Sequence, residues 1–367
     1  MTLHPLKRRA ALCVAFALAP LAACKGEPPA PEPEVQVAPG WVSSRPFPEI
    51  RSLQSVHVLA AFRAYAVGTE GAILRYDRGT WVKEPLPDDV DGAPDLESVS
   101  GVRDDESGDE LVMAVGEGGT VLLRDASGWR RLESGTDVRL FGVWVRNFTD
   151  AFLVGDDGTI FRWDGAQVLS MEQESMQQRE VMSDGGTVFE AYPIPEPLKS
   201  VAGTGGDNVL AVGPGGAVYR FDGATWERES AGTGRPLSHV FAERGVWATA
   251  TDGVLLRRHG PGDWDTSSYR LPVPLALQGA WASGGRDVFA VGLAGTIFHY
   301  DGDEWTPAGL EEDAHLRSVH GVVIEEATDT TDVVRVVFAV GAGGRIARGP
   351  EAVPGDDRPD EGRGDSP

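Results

Sequence analysis

One motif recurs seven times, and it restricts the fold more than any other feature of the chain. Aligned on their glycines, the copies read AVGTEGAILRYDRGTW, AVGEGGTVLLRDASGW, LVGDDGTIFRWDGAQV, AVGPGGAVYRFDGATW, ATATDGVLLRRHGPGDW, AVGLAGTIFHYDGDEW and AVGAGGRIARGP. The first glycine falls at Gly68, Gly116, Gly155, Gly213, Gly292 and Gly341, with Ala250 in the fifth copy. The second, three residues on, is Gly71, Gly119, Gly158, Gly216, Gly253, Gly295 and Gly344. β-formers flank the pair, so each copy reads as two strands joined by a tight hairpin. Both glycines are expected to supply the positive φ that such turns require.

Thirteen residues after the first anchor stands Trp81, Trp129, Trp226 or Trp305; the fifth copy reaches Trp264 after fourteen, and the third has Val168 in that slot. A large aromatic there can cover the flank of a neighbouring sheet. Before each glycine pair lies another strand, opening at Leu53, Leu96, Leu140, Leu198, Leu237, Leu277 and Leu316. Four strands every ~45 residues is the pattern of a β-propeller blade. The seventh copy has no tryptophan after it, but Trp41 precedes Leu53 by a spacing like those elsewhere. The expected fold is therefore all-β: a seven-bladed propeller of four-stranded antiparallel blades over 41–350, closed by an N-terminal strand. Closure removes exposed sheet edges, and a hydrophobic content of 41% is enough for a core.

The repeats resemble the WD/YVTN/BNR-repeat propeller superfamily, particularly proteins similar to photosystem II stability/assembly factors. The resemblance covers nearly all of 41–350 and implies an architecture; propellers host many unrelated functions. The Asp-box of sialidases is only partly echoed by the DG-to-Trp turns, and no catalytic arginine triad, acid or tyrosine nucleophile can be placed by motif.

The N-terminus reads as a targeting device. Lys7, Arg8 and Arg9 precede an apolar stretch too short to span a bilayer comfortably, which ends in Leu-Ala-Ala-Cys at 21–24. That ending resembles a bacterial lipobox, so residues 1–23 are expected to be a lipoprotein signal peptide and Cys24 the lipid-attachment residue. Cleavage would remove Cys13 and leave one cysteine, so no internal disulfide could form. It would also remove three positive charges and no acid, taking the net charge from −23 to −26. Lys25 after the cysteine suggests, by resemblance to lipoprotein sorting, a bacterial outer-membrane location on the periplasmic or cell-surface face. Residues 24–40 are a Pro/Glu-rich tether that could reach roughly 50 Å as polyproline II. Residues 351–367 are expected to be a disordered acidic tail.

The acidic balance argues against nucleic acid and against electrostatic docking on anionic lipid. HExxH, GxSxG, Walker and paired-cysteine motifs are missing from the sequence. The reading is therefore of a non-enzyme with no cofactor and no metal. Asp156-Asp157 and the acids at 301–304 read as turn carboxylates rather than calcium ligands. His57, His239, His259, His299, His315 and His320 read as scattered surface or packing residues.

Two irregularities remain. The residue after each strand-opening leucine varies: Gln54, Glu97, Phe141, Lys199, Ser238, Gln278 and Arg317. Innermost strands line a propeller's channel, so these seven are candidates for a partner-binding ring at one mouth. The other irregularity is an insertion at 169–197 that lengthens the third tryptophan-slot-to-leucine connection to 30 residues. Its Met171, Met176, Met182, Phe189 and Tyr192 would suit an adaptable protein-binding surface. The functional expectation is a monomeric, lipid-anchored, non-catalytic scaffold binding another envelope protein or an assembly intermediate. The alternatives are a carbohydrate-binding, lectin-like propeller and, behind it, a propeller lyase or hydrolase. Exposure of the repeated tryptophans on one face would favour the carbohydrate reading.

Overall fold

The computed structural model describes residues 40–183, 186–272, 275–310, 315–324, 333–350 and 352–353; of 179–183, 186–190, 333–334 and 352–353 only the backbone is described. Seven antiparallel sheets follow one another in sequence, each running from an inner strand to an outer one. The first blade comprises Leu53–Ala60, Arg63–Gly68, Ile73–Asp77 and Thr80–Glu84. The seventh takes Leu316–Ile324, Val333–Gly341 and Arg345–Arg348 from the C-terminal end and Val42–Ser44 from the N-terminal end. The expected N-terminal closure is therefore present, and Ser52 adds a bridge to Ala342 at the same seam. A short pairing of Ala352–Val353 with Val333–Val334 carries regular structure past residue 350. Among the described residues, no helix is long and apolar enough to cross a membrane.

The two repeated glycines do different work, which corrects the expectation that both supply positive φ. Gly71 has φ +67, and the residue before it, Glu70, is also left-handed. Gly68 is extended, with φ −168. There the constraint is space, because a Cβ would sit 2.1 Å from the Ser52 carbonyl oxygen. The inner strand thus crosses the end of the second strand closely enough to exclude any side chain.

The tryptophan slot staples each blade to the preceding one. Trp129 of blade 2 meets Tyr65 of blade 1 at 6.2 Å, and Trp226 of blade 4 meets Phe152 of blade 3 at 6.1 Å. Trp81 of blade 1 meets Phe338 of blade 7 at 5.3 Å, and Trp41, on the closing strand, meets Phe289 of blade 6 at 5.7 Å. Edge-to-face contacts at these distances add to the area buried. Polar clasps reinforce two seams. Glu84 of blade 1 accepts from Trp129 Nε1 at 2.7 Å, and Glu229 of blade 4 accepts from Trp264 Nε1 at 2.8 Å. In the third blade Val168 opens an outer strand of only three residues, and Phe161 and Trp163 fill the seam with blade 2. The repeated tryptophans are therefore buried or half-buried between blades and form no exposed platform on one face.

Candidate functional site

The inner strands surround a cavity of about 520 Å³, and all seven variable residues line it: Gln54, Glu97, Phe141, Lys199, Ser238, Gln278 and Arg317. They converge because each follows a buried leucine that pins the strand in the core, with Leu53, Leu96, Leu140, Leu277 and Leu316 fully buried. Side chains alternate along a strand, so the next position faces the other way unless the ladder shifts. In six of the seven blades the register shifts at this point, as between Leu53 and Ser55.

One residue further on, the blades are pinned to one another around the channel. Ser55 Oγ accepts from Val99 N at 3.2 Å, Ser98 Oγ from Val143 N at 3.3 Å, Ser200 Oγ from Val240 N at 3.1 Å and Ser318 Oγ from Val56 N at 3.3 Å. Blades 3 and 6 have Gly142 and Gly279 at this position. There the neighbouring strand comes within 3.1–3.2 Å of where a Cβ would be. The serine hydroxyl oxygens thus accept neighbouring backbone N–H groups and help hold the ring together.

At the mouth the charged members differ in how they are satisfied. Glu97 forms an ion pair with Arg139. Lys199 places its ammonium 3.2 Å from the centre of the Phe141 ring, with Arg139 5.6 Å from the same centre. Burial, with Arg139 behind it, holds the Lys199 ammonium below the usual lysine range against the pull of Asp156 and Glu97. Arg317 donates to Ser52 Oγ at 3.2 Å. Ser238 is satisfied internally, sharing a 2.8 Å hydrogen bond with Thr249 Oγ1 and donating to Leu277 O at 3.1 Å.

Three histidines expected at scattered positions come together in this cavity. His57 and His320 lie with ring centres 4.1 Å apart, and His239 lines the same space. His57 Nε2 donates to Gly101 O at 3.0 Å, while His320 Nδ1 accepts from Val58 N at 3.0 Å. Burial, with the neighbouring His320, lowers His57 to about 3 and His239 to about 4, so both rings stay uncharged at neutral pH. The repeat carried a signal: His57 and His320 each stand four residues after the strand-opening leucine. Glu243 was not anticipated at all. It follows the shortest inner strand, Leu237–Phe241, and meets His320 Nε2 at 2.9 Å. Among the described residues, no three His, Cys, Asp or Glu side chains are grouped to hold a metal ion. Asp301 caps its own turn, accepting from Asp303 N and Glu304 N at 2.9 Å each.

The insertion lies elsewhere. It forms a hairpin, Gln177–Ser183 with Gly186–Tyr192, whose base is tied to the outermost strand of blade 4. Trp226 N donates to Glu174 O at 2.7 Å, and Gln177 Nε2 donates to Trp226 O at 2.8 Å. Met171 is 5% exposed and packs with Ile194 and Trp226 in the core, so it is not part of an adaptable surface; the apolar seam between blades 3 and 4 absorbs it. Met176 and Tyr192 are half-buried, and the side chains of Met182 and Phe189 lie outside those described. The channel mouth and the insertion base are thus built from opposite edges of the blades and do not form one site.

No family model matches the chain, and no curated protein does. Solved structures do. A structure of YCF48 bound to D1 peptide superimposes with a TM-score of 0.59 at 14% identity, over 85% of this chain and 97% of that one. YCF48 from Cyanidioschyzon merolae gives the same TM-score at 17% identity, over 85% of this chain and 99% of that one. At these identities the likeness is one of fold.

Proposed function

We propose that this chain is a non-catalytic β-propeller that binds another protein of the cell envelope, or an assembly intermediate of one, at the mouth ringed by Gln54, Phe141, Lys199 and Arg317. The observation that carries the reading is the convergence of one variable position per blade on a single cavity, while neighbouring positions repeat. The fold likeness to YCF48, a structure of which holds a D1 peptide, supports a polypeptide as the partner class. The packing of the tryptophan slot between blades speaks against sugar-stacking platforms. We further propose that Cys24 carries a lipid and that residues 24–40 tether a monomeric propeller to the outer membrane.

The test is site-specific photocrosslinking in membranes. A photoreactive side chain at Gln54 or Gln278 is expected to yield a discrete protein adduct. The same group at the exposed Glu227 on the outermost strand of blade 4 should not. Adducts at Glu227 alone, or none at the mouth, would sink the proposal. Labelled palmitate should enter the wild-type chain and not Cys24→Ala.

A further inference from the structure

The channel is polarised along its axis. At one end, Glu243 reaches out of the turn that follows the inner strand of blade 5, a turn made by the left-handed Arg244 (φ 50) and Gly245 (φ 123). Its carboxylate meets His320 of blade 7, two blades away, and also accepts from the Trp281 side chain of blade 6. His320 Nδ1 already accepts the Val58 N–H, so Nε2 is the nitrogen that donates to Glu243. Burial opposes the charge on Glu243, but His320, with His57 and Trp281 behind it, outweighs burial and holds the carboxyl down to about 2. The carboxylate is nevertheless reached by water, with 46% of its side-chain surface exposed. A carboxylate accepts about four hydrogen bonds, so lone pairs remain for a ligand.

At the other end stand Lys199 and Arg317. Among the described residues neither makes an ion pair within 4 Å: one rests on the Phe141 ring, the other on the neutral Ser52 hydroxyl. Two cations without carboxylate partners are notable in a chain of net charge −23. Between the two ends, His57 and His239 contribute no charge, and the serine pins engage backbone N–H groups of the wall. Whatever fills the channel is therefore held at its ends. Mouth residues directly follow the strand-opening leucine, and Glu243 lies six residues after Leu237. His320, which holds the Glu243 carboxylate, stands three residues of strand after Arg317, so at ~3.3 Å per residue the two levels lie roughly 10 Å apart. That is the length of about three residues of extended peptide. The cavity, at about 520 Å³, falls within the usual range for ligand pockets.

We propose that the channel seats the free amino terminus of a partner polypeptide, its ammonium against Glu243 and an acidic side chain near its third residue against Lys199 and Arg317. This rests on the protein-partner reading above and names the part of the partner that enters. A lysine side chain carries the same ammonium on a stem of only about 6 Å, too short to cross the channel from the mouth. Capture of an N-terminal amine is a known mode of peptide recognition.

The test passes a random hexapeptide library with free amino termini over the immobilised full chain, beside the same library N-acetylated. At least tenfold preferential retention of the free-amine library is expected, with acids enriched at positions two to four. Glu243→Gln, which keeps the shape and the acceptor, should abolish the preference; circular dichroism and a melting curve check that it folds. Lys199→Gln should flatten the acidic enrichment and leave the amine preference intact, which keeps the idea testable even if the first variant misfolds. Equal retention of the two libraries, retention of acetylated peptides through internal lysine, or an amine preference that survives Glu243→Gln would overturn it. Mouth crosslinks that persist without amine preference sink this inference alone; loss of the crosslinks sinks the protein-partner reading.

Discussion

The seams between blades and the wall of the channel are made from the same repeats, yet they follow opposite rules. At the seams one residue type returns at one position, and Trp41, Trp81, Trp129 and Trp226 each close on an aromatic ring of the preceding blade. At the channel mouth seven equivalent positions carry six residue types. A side chain that must fill a fixed gap has few substitutes, because interiors are close-packed. A side chain facing open space is free of that restriction and can answer to something outside the chain. In this molecule repetition marks packing, and variation marks the surface that faces the open channel.

The seam should therefore be the costlier place to mutate. Trp226 is 1% exposed and joins blades 3 and 4. Trp226→Ala is expected to cost about 4 kcal/mol, from lost burial plus the cavity left behind. Denaturant unfolding measures it, and a loss under ~1 kcal/mol would break the comparison at its strongest point. Next comes the polar clasp at the adjoining seam. Glu229 meets Arg258 twice, at 2.8 and 2.7 Å, with both side chains at least 93% buried. Glu229→Ala should cost about 3 kcal/mol, mostly from stranding a buried guanidinium. Replacing Glu229 and Arg258 together by apolar residues should recover much of that loss. Failure to recover any would mean that the clasp does more than satisfy its own charges.

The repeat made the architecture legible because a blade's four strands and its tryptophan slot are local patterns, each written within ~45 residues. Ring closure was legible too, since Trp41 stood at the right distance from Leu53. The mouth residues could be read because a single offset from leucine defines them. What stayed hidden depends on pairs far apart in sequence. Glu243 meets His320 across 77 residues and a whole intervening blade, and no local pattern specifies that meeting. Met171 was misread for a related reason. Its place in an insertion suggested surface, whereas Trp226, Ile194 and Phe152 around it supply a core. The roles of the two glycines could not be separated either, because a sequence shows a missing Cβ but not whether conformation or space excludes it.

A smaller effect separates the two regions by pH. His57 and His239 titrate in the folded chain at about 3 and about 4, against 6.5 when unfolded. Between those values the unfolded chain binds protons that the folded chain refuses. The rings' contribution is thus fully present above pH 6.5 and is lost progressively as the pH falls. Between pH 6.5 and about 5.5 unfolded carboxylates remain largely ionised, so the histidines dominate that window. Melting temperature should fall with pH there, and unfolding should take up as many as two protons from these sites. His57→Gln should reduce that uptake by about one, measured by calorimetry in two buffers of different ionisation enthalpy. Trp226→Ala should leave the pH slope unchanged. A slope indifferent to His57 would mean that the ring titrates normally and is not desolvated in the channel.

The smallest expected change in stability belongs to the mouth, and it sharpens the comparison most. Lys199 makes a cation–π contact with Phe141, and such contacts at partly exposed sites are worth about 0.5–1 kcal/mol. Lys199→Ala should therefore cost less than ~1 kcal/mol, and a double-mutant cycle with Phe141→Ala should return a coupling of that size. Arg317→Ala gives up one hydrogen bond to the Ser52 hydroxyl and should cost about as little. Neither side chain fills a seam, so neither has a packing reason to be where it is. If the mouth is the contact surface, both variants should retain wild-type melting behaviour while losing at least tenfold in capture of the crosslinked partner. Destabilisation comparable to Trp226→Ala would place these residues among the packing positions. Unaltered capture with unaltered stability would leave the variation at the mouth without a function, and the rule that variation marks contact would fail where it was drawn.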